Sequence, residues 1–250
     1  MNSEDRGILV GMVLGDGYLH VRNRLKDGKY KYESSGLTIV HSEKQKEYLL
    51  YKADLVRRMF GGGFSVYKTH STLKNGKTYY GYGFAKANKY FKVLQGMMYR
   101  DKVKTITLQV LNMLSIQGIA IWYMDDGHAR RNINSKGFVS SVSTNIATCC
   151  PENEALLVCD WFREKYDIGF KPFPEKGRFS IQCNTQESHK FARLVEPFII
   201  QSMRYKLSHV ADLNLQERQA PIGYCACGNA IYENRRKGLC VVCYMKQYQG

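Results

Sequence analysis

Two apolar stretches that each end in Asp-Gly decide the fold of this chain. They read Ile8-Leu-Val-Gly-Met-Val-Leu-Gly-Asp16-Gly17 and Gly118-Ile-Ala-Ile-Trp-Tyr-Met-Asp-Asp126-Gly127, with the two Asp-Gly pairs 110 residues apart. Each stretch predicts an apolar helix with a carboxylate at its C-terminal end, and the glycine predicts a left-handed turn there. Internal similarity of this kind predicts two matching halves.

The segments that follow the two stretches match in kind and in order. Each half continues with a basic polar stretch, a strand-like run, an amphipathic helix, a hairpin and a closing helix. In the first half we expect them at residues 18–31, 36–41, 48–60, 64–84 and 88–99. In the second half we expect them at residues 130–136, 138–146, 155–166, 170–184 and 187–203. This order predicts an α+β fold of two pseudo-symmetric αββαββα repeats, joined by a partly helical segment over residues 102–115.

Local signals predict where several of these elements begin or end. Ser42-Glu-Lys-Gln45 resembles a capping box that opens the amphipathic helix of the first half. Gly61 and Gly169 predict the C-termini of the two amphipathic helices. A proline inside a helix removes a hydrogen bond, so we expect the last helix to bend at Pro197.

The chain carries a large excess of positive charge. Lys and Arg number 37 against 22 Asp and Glu, which gives a formal net charge of +15 at pH 7. Such an excess suits a polyanion, most often nucleic acid, although a basic surface that serves only solubility is an alternative. The composition is that of a soluble globular protein. Since we find no long apolar run and no targeting signal, we expect no membrane partner.

The two Asp-Gly stretches resemble the motif of the LAGLIDADG homing endonuclease family in its single-chain, two-repeat form. Leu9–Gly17 fits the nine-residue motif and Ile119–Gly127 fits its second-copy variant. The similarity in motif and element order covers about residues 5–210. It implies a saddle of antiparallel sheets, with the first repeat and linker in residues 1–115 and the second repeat in residues 116–216.

The helices that carry the family's motifs usually have small residues where they pack together. Gly11 and Gly15 lie on one face of the first helix and satisfy this requirement. The corresponding positions in the second helix hold Ile121 and Asp125, which are bulky. We therefore expect the two helices to pack asymmetrically.

The aspartates at the helix ends predict a divalent metal site. A carboxylate at a helix C-terminus faces the negative end of the dipole, and two such groups side by side repel each other. A hard cation, Mg²⁺ or Mn²⁺, neutralises Asp16 and Asp126. The resemblance implies the same arrangement at the floor of a DNA-binding surface, with one aspartate for each strand. It also assigns catalytic roles to Lys104 and Lys206, and metal contacts to the carbonyls of Gly15 and Asp125.

DNA contacts are expected from the strands of both halves. A twisted antiparallel sheet fits the major groove and reads base edges with basic and amide side chains. The candidates in the first half are Arg22, Arg24, Lys29, Lys31, Lys68, Lys74 and Lys77. Those in the second half are Arg130, Arg131, Asn134, Lys171, Lys176, Arg178 and Gln182. Any of them can equally be a solvated charge or a nonspecific phosphate contact.

The C-terminal segment carries two closely spaced cysteine pairs, Cys225-x-Cys227 and Cys240-x₂-Cys243. Four thiolates at this spacing suit tetrahedral Zn²⁺, and the pattern resembles short zinc-ribbon tails of mobile-element nucleases. Two disulfides are the alternative. We expect residues 217–250 to form a small zinc-binding module whose basic residues contact phosphate; these are Arg235, Arg236 and Lys237.

The remaining cysteines are scattered through apolar or strand-like sequence. They are Cys149, Cys150, Cys159 and Cys183. We expect them to be buried free thiols, as is common in a reducing intracellular compartment such as the cytoplasm of a prokaryote or of a phage-infected cell.

Together these features predict a site-specific homing endonuclease that cuts both strands of double-stranded DNA with a divalent metal. The chain is expected to recognise a long site as a monomer and to need no small-molecule substrate. Two alternatives remain open on the same fold. One is an RNA maturase that assists intron splicing, and the other is a DNA-binding regulator that does not cut.

Overall fold

The chain folds into two compact units, Met1–Val210 and Ala211–Gly250. The computed structural model describes residues 1–26, 29–73, 75–133, 135, 139–207, 223–227, 230–231, 243 and 247. The expected boundary between residues 216 and 217 lies outside the described residues. Among the described helices, none has the length and apolar character needed to cross a membrane.

The first half of the larger unit is an antiparallel sheet backed by helices. Its elements are α1 (Ser3–Leu14), β1 (Tyr18–Lys26), β2 (Lys29–Ser42), α2 (Lys46–Phe60), β3 (Tyr67–Thr72), β4 (Thr78–Ala87) and α3 (Tyr90–Met98). The strands are ordered β1-β2-β4-β3, and α2 and α3 pack against this sheet. A connecting segment follows, with β5 (Tyr99–Arg100), β6 (Val103–Lys104) and α4 (Leu108–Met113).

The second half repeats this arrangement. Its elements are α5 (Ile116–Asp126), β7 (Gly127–Ile133), β8 (Val139–Cys150), α6 (Glu152–Tyr166), β9 (Lys171–Glu175), β10 (Arg178–Cys183) and α7 (Thr185–Val195). The sheet order β7-β8-β10-β9 matches that of the first half. The α+β fold with antiparallel sheets that the sequence predicts is therefore confirmed.

Helices α1 and α5 pack against each other at the centre of the larger unit. Nearly every residue of α1 from Gly7 to Leu14, and of α5 from Gly118 to Met124, is buried. A helix that is apolar on all sides belongs inside a core rather than at its surface. Both helices start at a side-chain cap, because Asn2 and Ser115 each accept a hydrogen bond from a backbone N–H of the first turn.

The contact between the two helices is made by glycines and leaves no room for side chains. A Cβ placed on Gly11 would overlap the backbone carbonyl of Gly118, and one placed on Gly118 would overlap the carbonyl of Gly7. The small residue of the second helix is thus Gly118, which lies before the motif, and not the residue at position 121. The packing is asymmetric as expected, because Gly11 lies against Gly118 and not against Ile121, while Gly15 lies against Asp125.

The glycines of the two Asp-Gly pairs serve a different purpose from the one predicted. Neither helix ends in a left-handed residue. The C-cap of α1 is Gly15, with a φ of −78°, and the C-cap of α5 is Gly127, with a φ of −85°. The amide of Gly17 donates to the carbonyl of Met12 at 2.7 Å, and a Cβ on Gly17 would crowd that carbonyl. Close approach of the backbone, rather than a positive φ, requires glycine here.

Three further details of the helix ends differ from the sequence predictions. Ser42 makes no side-chain cap and opens a 3₁₀ turn instead of α2. Helix α6 ends at Asp167, which adopts the left-handed conformation two residues before Gly169. Helix α7 stops at Val195 and a 3₁₀ turn with Pro197 follows, because proline cannot continue the hydrogen-bond ladder.

The smaller unit contains a short hairpin. Strands β11 (Gly223–Tyr224) and β12 (Ala230–Ile231) pair antiparallel, and Cys225 and Cys227 lie in the segment that joins them. Cys225 and Cys227 therefore lie directly after β11, in the segment where a zinc knuckle would present its two thiols.

The close helix contact can be tested by adding one methyl group. We expect Gly118→Ala to destabilise the larger unit by about 1–3 kcal/mol, since its Cβ would force the two helices apart. Gly96 of α3 has open space around its Cβ position, so the control Gly96→Ala should be neutral or slightly stabilising. Urea unfolding measures both values, and equal unfolding free energies for the two variants would contradict the contact.

Candidate active site and DNA interface

The two predicted aspartates lie where the packed helices α1 and α5 end. Asp16 follows α1 with a side chain that is 44% exposed, and Asp126 is the last residue of α5 and is partly buried. The backbone N–H of Asp16 donates to Oδ2 of Asp125 at 3.1 Å, which ties the two helix ends together. The helix contact thus delivers both carboxylates to one floor, as the sequence predicts.

The two predicted lysines occupy matching positions beside these helix ends. Nζ of Lys104, on β6, donates to the carbonyl of Gly15 at 2.8 Å. Nζ of Lys206 donates to the carbonyl of Asp125 at 2.8 Å. Each ammonium group therefore binds the carbonyl just before one of the two aspartates. Metal contacts from these same carbonyls stay a prediction.

Burial and charge shift the pKa of the groups on this floor. Burial, followed by the carboxylates of Asp125 and Asp16, raises the pKa of Asp126 to about 7, although the nearby lysines oppose this change. Burial and Asp125 likewise raise the pKa of Asp16. Burial lowers the pKa of Lys104 and of Lys206, and the nearby carboxylates oppose this change. The cluster is one that a bound divalent cation would stabilise.

Asp125 has a second role that the sequence did not indicate. Its carboxylate is fully buried and lies 2.5 and 2.7 Å from Nζ of Lys52, a residue of α2 that is itself completely buried. A Cβ on Gly15 would overlap this carboxylate. The large residue at position 125 is therefore accommodated by a glycine opposite it and by a buried positive charge.

His41 connects this ion pair to the other aspartate. Its Nε2 lies 3.1 Å from Nζ of Lys52, and its Nδ1 lies 3.5 Å from Oδ2 of Asp16. Burial, and then the charge of Lys52, lower the pKa of His41 to about 4, so the ring is neutral at pH 7. Ligand atoms of Asp16, His41 and Asp125 lie within 4.8 Å of one another.

Sequence reasoning missed Lys52 and His41, although a signal for each is present. Lys52 interrupts the buried face of α2, between Tyr48 and Val56 at helical spacing. His41 continues the alternation of buried residues along β2 after Ile39. Lysine is almost never fully buried without a partner, so a lysine on an apolar face points to a buried carboxylate.

The surroundings of Asp126 differ from those of Asp16. A cleft of about 450 Å³ opens beside Asp126 and is lined in part by Lys104, Thr148, Cys149 and Arg178. In each half, the residue that follows Asp-Gly pairs with a residue of the next strand. Three residues beyond that partner lies His41 in the first half and Thr148 in the second, so the two occupy equivalent positions. The two centres are therefore alike in their aspartate and lysine and unlike in their other neighbours.

Cys149 corrects an expectation about the scattered cysteines. It is exposed, whereas Cys150, Cys159 and Cys183 are buried as predicted. Cys149 has a φ of 48° and lies where the pairing of β8 with β10 shifts register. This irregularity leaves Cys149 exposed, while Cys150 beside it is buried.

One face of each sheet packs on helices and the other is open. In the second sheet His128, Asn145 and Gln182 are in register across β7, β8 and β10 on the open face, and Arg130 follows two residues after His128, although Asn145 is itself buried between its neighbours. Lys171 pairs with Gln182 and extends the row onto β9. Arg178 lies on the same face of β10. These polar side chains form a surface that can meet base edges or phosphates.

Other predicted DNA contacts are placed differently. Lys68 pairs with Tyr82 and Arg131 pairs with Val142, so both lie on the helix-covered face of their sheets, near its margin. Lys77 covers the ring of exposed Tyr79, and Lys176 lies in a turn with a φ of 49°. The structure gives only the strand positions of Arg22, Arg24, Lys29 and Lys31. Lys74, Asn134, Arg235, Arg236 and Lys237 lie outside the described residues.

The described cysteines of the smaller unit lie close together. The sulfur atoms of Cys225, Cys227 and Cys243 are within 4.8 Å of one another. Cys240 lies outside the described residues. Three thiols at this distance form part of a tetrahedral thiolate site, which is the arrangement that zinc prefers.

Comparison with known proteins agrees with this geometry. The pattern of the LAGLIDADG DNA endonuclease family matches residues 6–191. DNA endonuclease I-ChuI of Chlamydomonas applanata is 21% identical over 223 residues, covering 83% of this chain and 96% of that protein. Protein RecA of Mycolicibacterium flavescens is 26% identical over 208 residues. This alignment covers 80% of the chain but only 45% of that protein, so the chain spans less than half of its length.

A solved structure has the same fold. The homing endonuclease I-WcaI bound to its DNA recognition sequence superimposes with a TM-score of 0.67 at 20% sequence identity. The match covers 82% of this chain and 86% of I-WcaI. The similarity therefore includes the three-dimensional fold as well as the sequence motif.

The raised pKa of Asp126 predicts how stability depends on pH and metal. In the unfolded chain this carboxyl titrates near its ordinary value of 3.8, and in the folded protein near 7. The folded state therefore loses stability as the pH rises from about 4 to 7. We expect metal-free Asp126→Asn to melt a few degrees above the wild type at pH 8, and to gain less from Mg²⁺.

Calorimetry of the two proteins at pH 5 and pH 8, with and without Mg²⁺, measures these differences. Asp54→Asn removes an exposed carboxylate of α2 and serves as the control that should show neither change. A wild-type protein whose stability rises steadily from pH 5 to pH 8 relative to Asp126→Asn would contradict the assignment.

Proposed function

Because this chain belongs to the LAGLIDADG DNA endonuclease family, we propose that it is a site-specific endonuclease that cuts both strands of DNA at a long recognition site. One observation carries the proposal. Two packed helices carry Asp16 and Asp126 at their ends, and each aspartate follows a carbonyl that accepts a hydrogen bond from a partly buried lysine. Two such centres in one chain suit two scissile phosphates, so the chain would act as a monomer.

The carboxylates of Asp16 and Asp126 would hold the divalent cations. Oxygen donors of this kind suit Mg²⁺ or Mn²⁺. Burial and the neighbouring carboxylates raise the pKa of both groups, and a bound cation would favour their charged forms. When bound, a divalent cation supplies polarisation of the phosphodiester and activation of the attacking water. Carbonyl oxygens of Gly15 and Asp125 have a second lone pair, which leaves them able to join the metal contacts.

Lys104 and Lys206 would contribute in two ways. Their hydrogen bonds to the carbonyls of Gly15 and Asp125 fix the backbone on which the aspartates are carried. Their charges lie on a partly buried floor, where they stabilise negative charge that develops on phosphate more strongly than in water. Because the pKa of each is lowered by burial, each ammonium can also exchange a proton with a nearby water.

The open sheet faces would bind the DNA. The net charge of +15 attracts the phosphate backbone, and the row Arg130, Gln182 and Lys171 offers donors for base edges on the second half. We assign base reading to these residues and phosphate contact to the other basic residues of the open faces, including Arg178.

The C-terminal unit would be a structural zinc module. Its support is the cluster of Cys225, Cys227 and Cys243 together with the hairpin that presents the first two thiols. Cys240 completes the proposed ligand set. A segment of about 40 residues buries too little apolar surface to fold without such a ligand. Zinc thiolates require reduced cysteines, consistent with work in a reducing intracellular compartment.

Selection from randomised DNA tests the proposed function. A plasmid library with random inserts is incubated with the protein and Mg²⁺, and linearised plasmids are sequenced. We expect a single long site to be enriched. We also expect Asp16→Asn and Asp126→Asn each to abolish double-strand cutting of that site while leaving binding in Ca²⁺ within about tenfold, since the carboxylates hold metal rather than bases.

Asp54→Asn, in an exposed position of α2, is the matched control and should cut normally. Normal double-strand cutting by both active-site variants would refute the assigned site. Tight binding of intron RNA without cutting of any DNA would favour the maturase alternative, and specific DNA binding without cutting would favour a regulator.

Elemental analysis tests the zinc module. Protein purified without chelator should contain one zinc per chain, and Cys240→Ser/Cys243→Ser should lose it. The larger unit should keep its melting temperature, because it is a compact unit with its own core. Wild-type protein without zinc would defeat the proposal, as would unfolding of the larger unit in the double variant.

A further inference from the structure

Lys52 is a fully buried lysine, and two of its close partners, Asp125 and His41, contact Asp16. Its Nζ contacts both carboxylate oxygens of Asp125 and Nε2 of His41, and it lies 4.5 Å from the centre of the Tyr48 ring. Asp125 accepts from the backbone of Asp16, and His41 faces the carboxylate of Asp16. Both partners thus reach Asp16 from different sides.

The contact with Lys52 determines which nitrogen of His41 carries the proton. An ammonium group can only donate hydrogen bonds. Nε2 of His41 must therefore accept, and in a neutral ring Nδ1 then carries the proton. This N–H faces Oδ2 of Asp16 at 3.5 Å. Fixing one ring nitrogen in this way sets both the tautomer and the orientation of the ring.

We propose that Lys52 is a positioning residue of the Asp16 centre, which holds His41 as the Nδ1–H tautomer and locks the Asp125 carboxylate against the backbone of Asp16. The role in cutting rests on the proposed endonuclease function. The positioning itself is a property of the folded protein alone and is measured without DNA.

Among the described residues of the second half, no buried lysine takes the place of Lys52. Lys52 is the seventh residue of the fifteen-residue helix α2, and the seventh residue of the fifteen-residue helix α6 is Val158, which is buried. Thr148 stands in place of His41. Of the two strands of DNA, the one served by Asp16 should therefore depend on Lys52, and the one served by Asp126 should not.

Nitrogen NMR of the histidine rings tests the positioning directly. The His41 signals of the metal-free, DNA-free protein at pH 7 are identified by their loss in His41→Gln. We expect the wild type to show the Nδ1–H tautomer. Lys52→Met/Asp125→Ala removes both charges of the ion pair together, so neither stays buried alone. In this variant we expect a mixture of both tautomers.

Strand-specific cleavage tests the consequence. The strand served by Asp16 is defined as the one that Asp16→Asn fails to cut. With each strand labelled separately, single-turnover rates should show that Lys52→Met/Asp125→Ala cuts this strand at least tenfold more slowly relative to the other. A role in stability alone would slow both strands equally.

Several results would overturn the inference. An Nε2–H tautomer in the wild type contradicts it even if the double variant does not fold. An unchanged tautomer in a folded double variant contradicts it whether or not the protein cuts DNA. An unchanged ratio of strand rates contradicts the role of Lys52 in cutting. A wild type that cuts no DNA refutes the proposed function, and in that case the NMR measurement of the His41 tautomer alone tests the positioning.

Discussion

Backbone contact between α1 and α5 sets the positions of both sheets and of the aspartates at the helix ends. Helices with ordinary side chains pack with their axes 8–10 Å apart, but Gly11 and Gly118 leave no space for a Cβ between them. The helices thus end side by side, and Asp16 and Asp126 share one floor. Because the same contact lies at the centre of the core, core packing fixes the backbone that carries both carboxylates.

Crowding of charge on this floor explains its other residues. Three aspartates meet where two helix dipoles end in partial negative charge, and burial raises the pKa of Asp126 to about 7. Lys104 and Lys206 neutralise part of this charge at the carbonyls of Gly15 and Asp125, and Lys52 neutralises the carboxylate of Asp125. A divalent cation would neutralise the negative charge that remains on this floor.

The two Asp-Gly stretches predicted the repeated fold and brought Asp16 and Asp126 together, because these residues belong to local motifs at fixed spacing. Lys104 and Lys206 followed only from the resemblance to the family. The sequence did not predict Gly118 as the partner of Gly11, since the helix contact depends on a three-dimensional register that the aligned motifs do not share. Nor did it find Lys52, whose meaning depends on a carboxylate 73 residues away. The end of α7 at Val195 differed because proline ended a helix that periodicity alone would continue.

The central claim is that the two helix ends form two metal centres, one on each aspartate. Crystals of the protein with its selected DNA site and Mn²⁺ test it most directly, because anomalous scattering locates manganese without reference to the protein atoms. We predict anomalous peaks beside the carboxylates of both Asp16 and Asp126, within coordination distance of the DNA phosphates. Bound DNA with no manganese at either aspartate, or with manganese only between His41 and Asp125, would contradict the account.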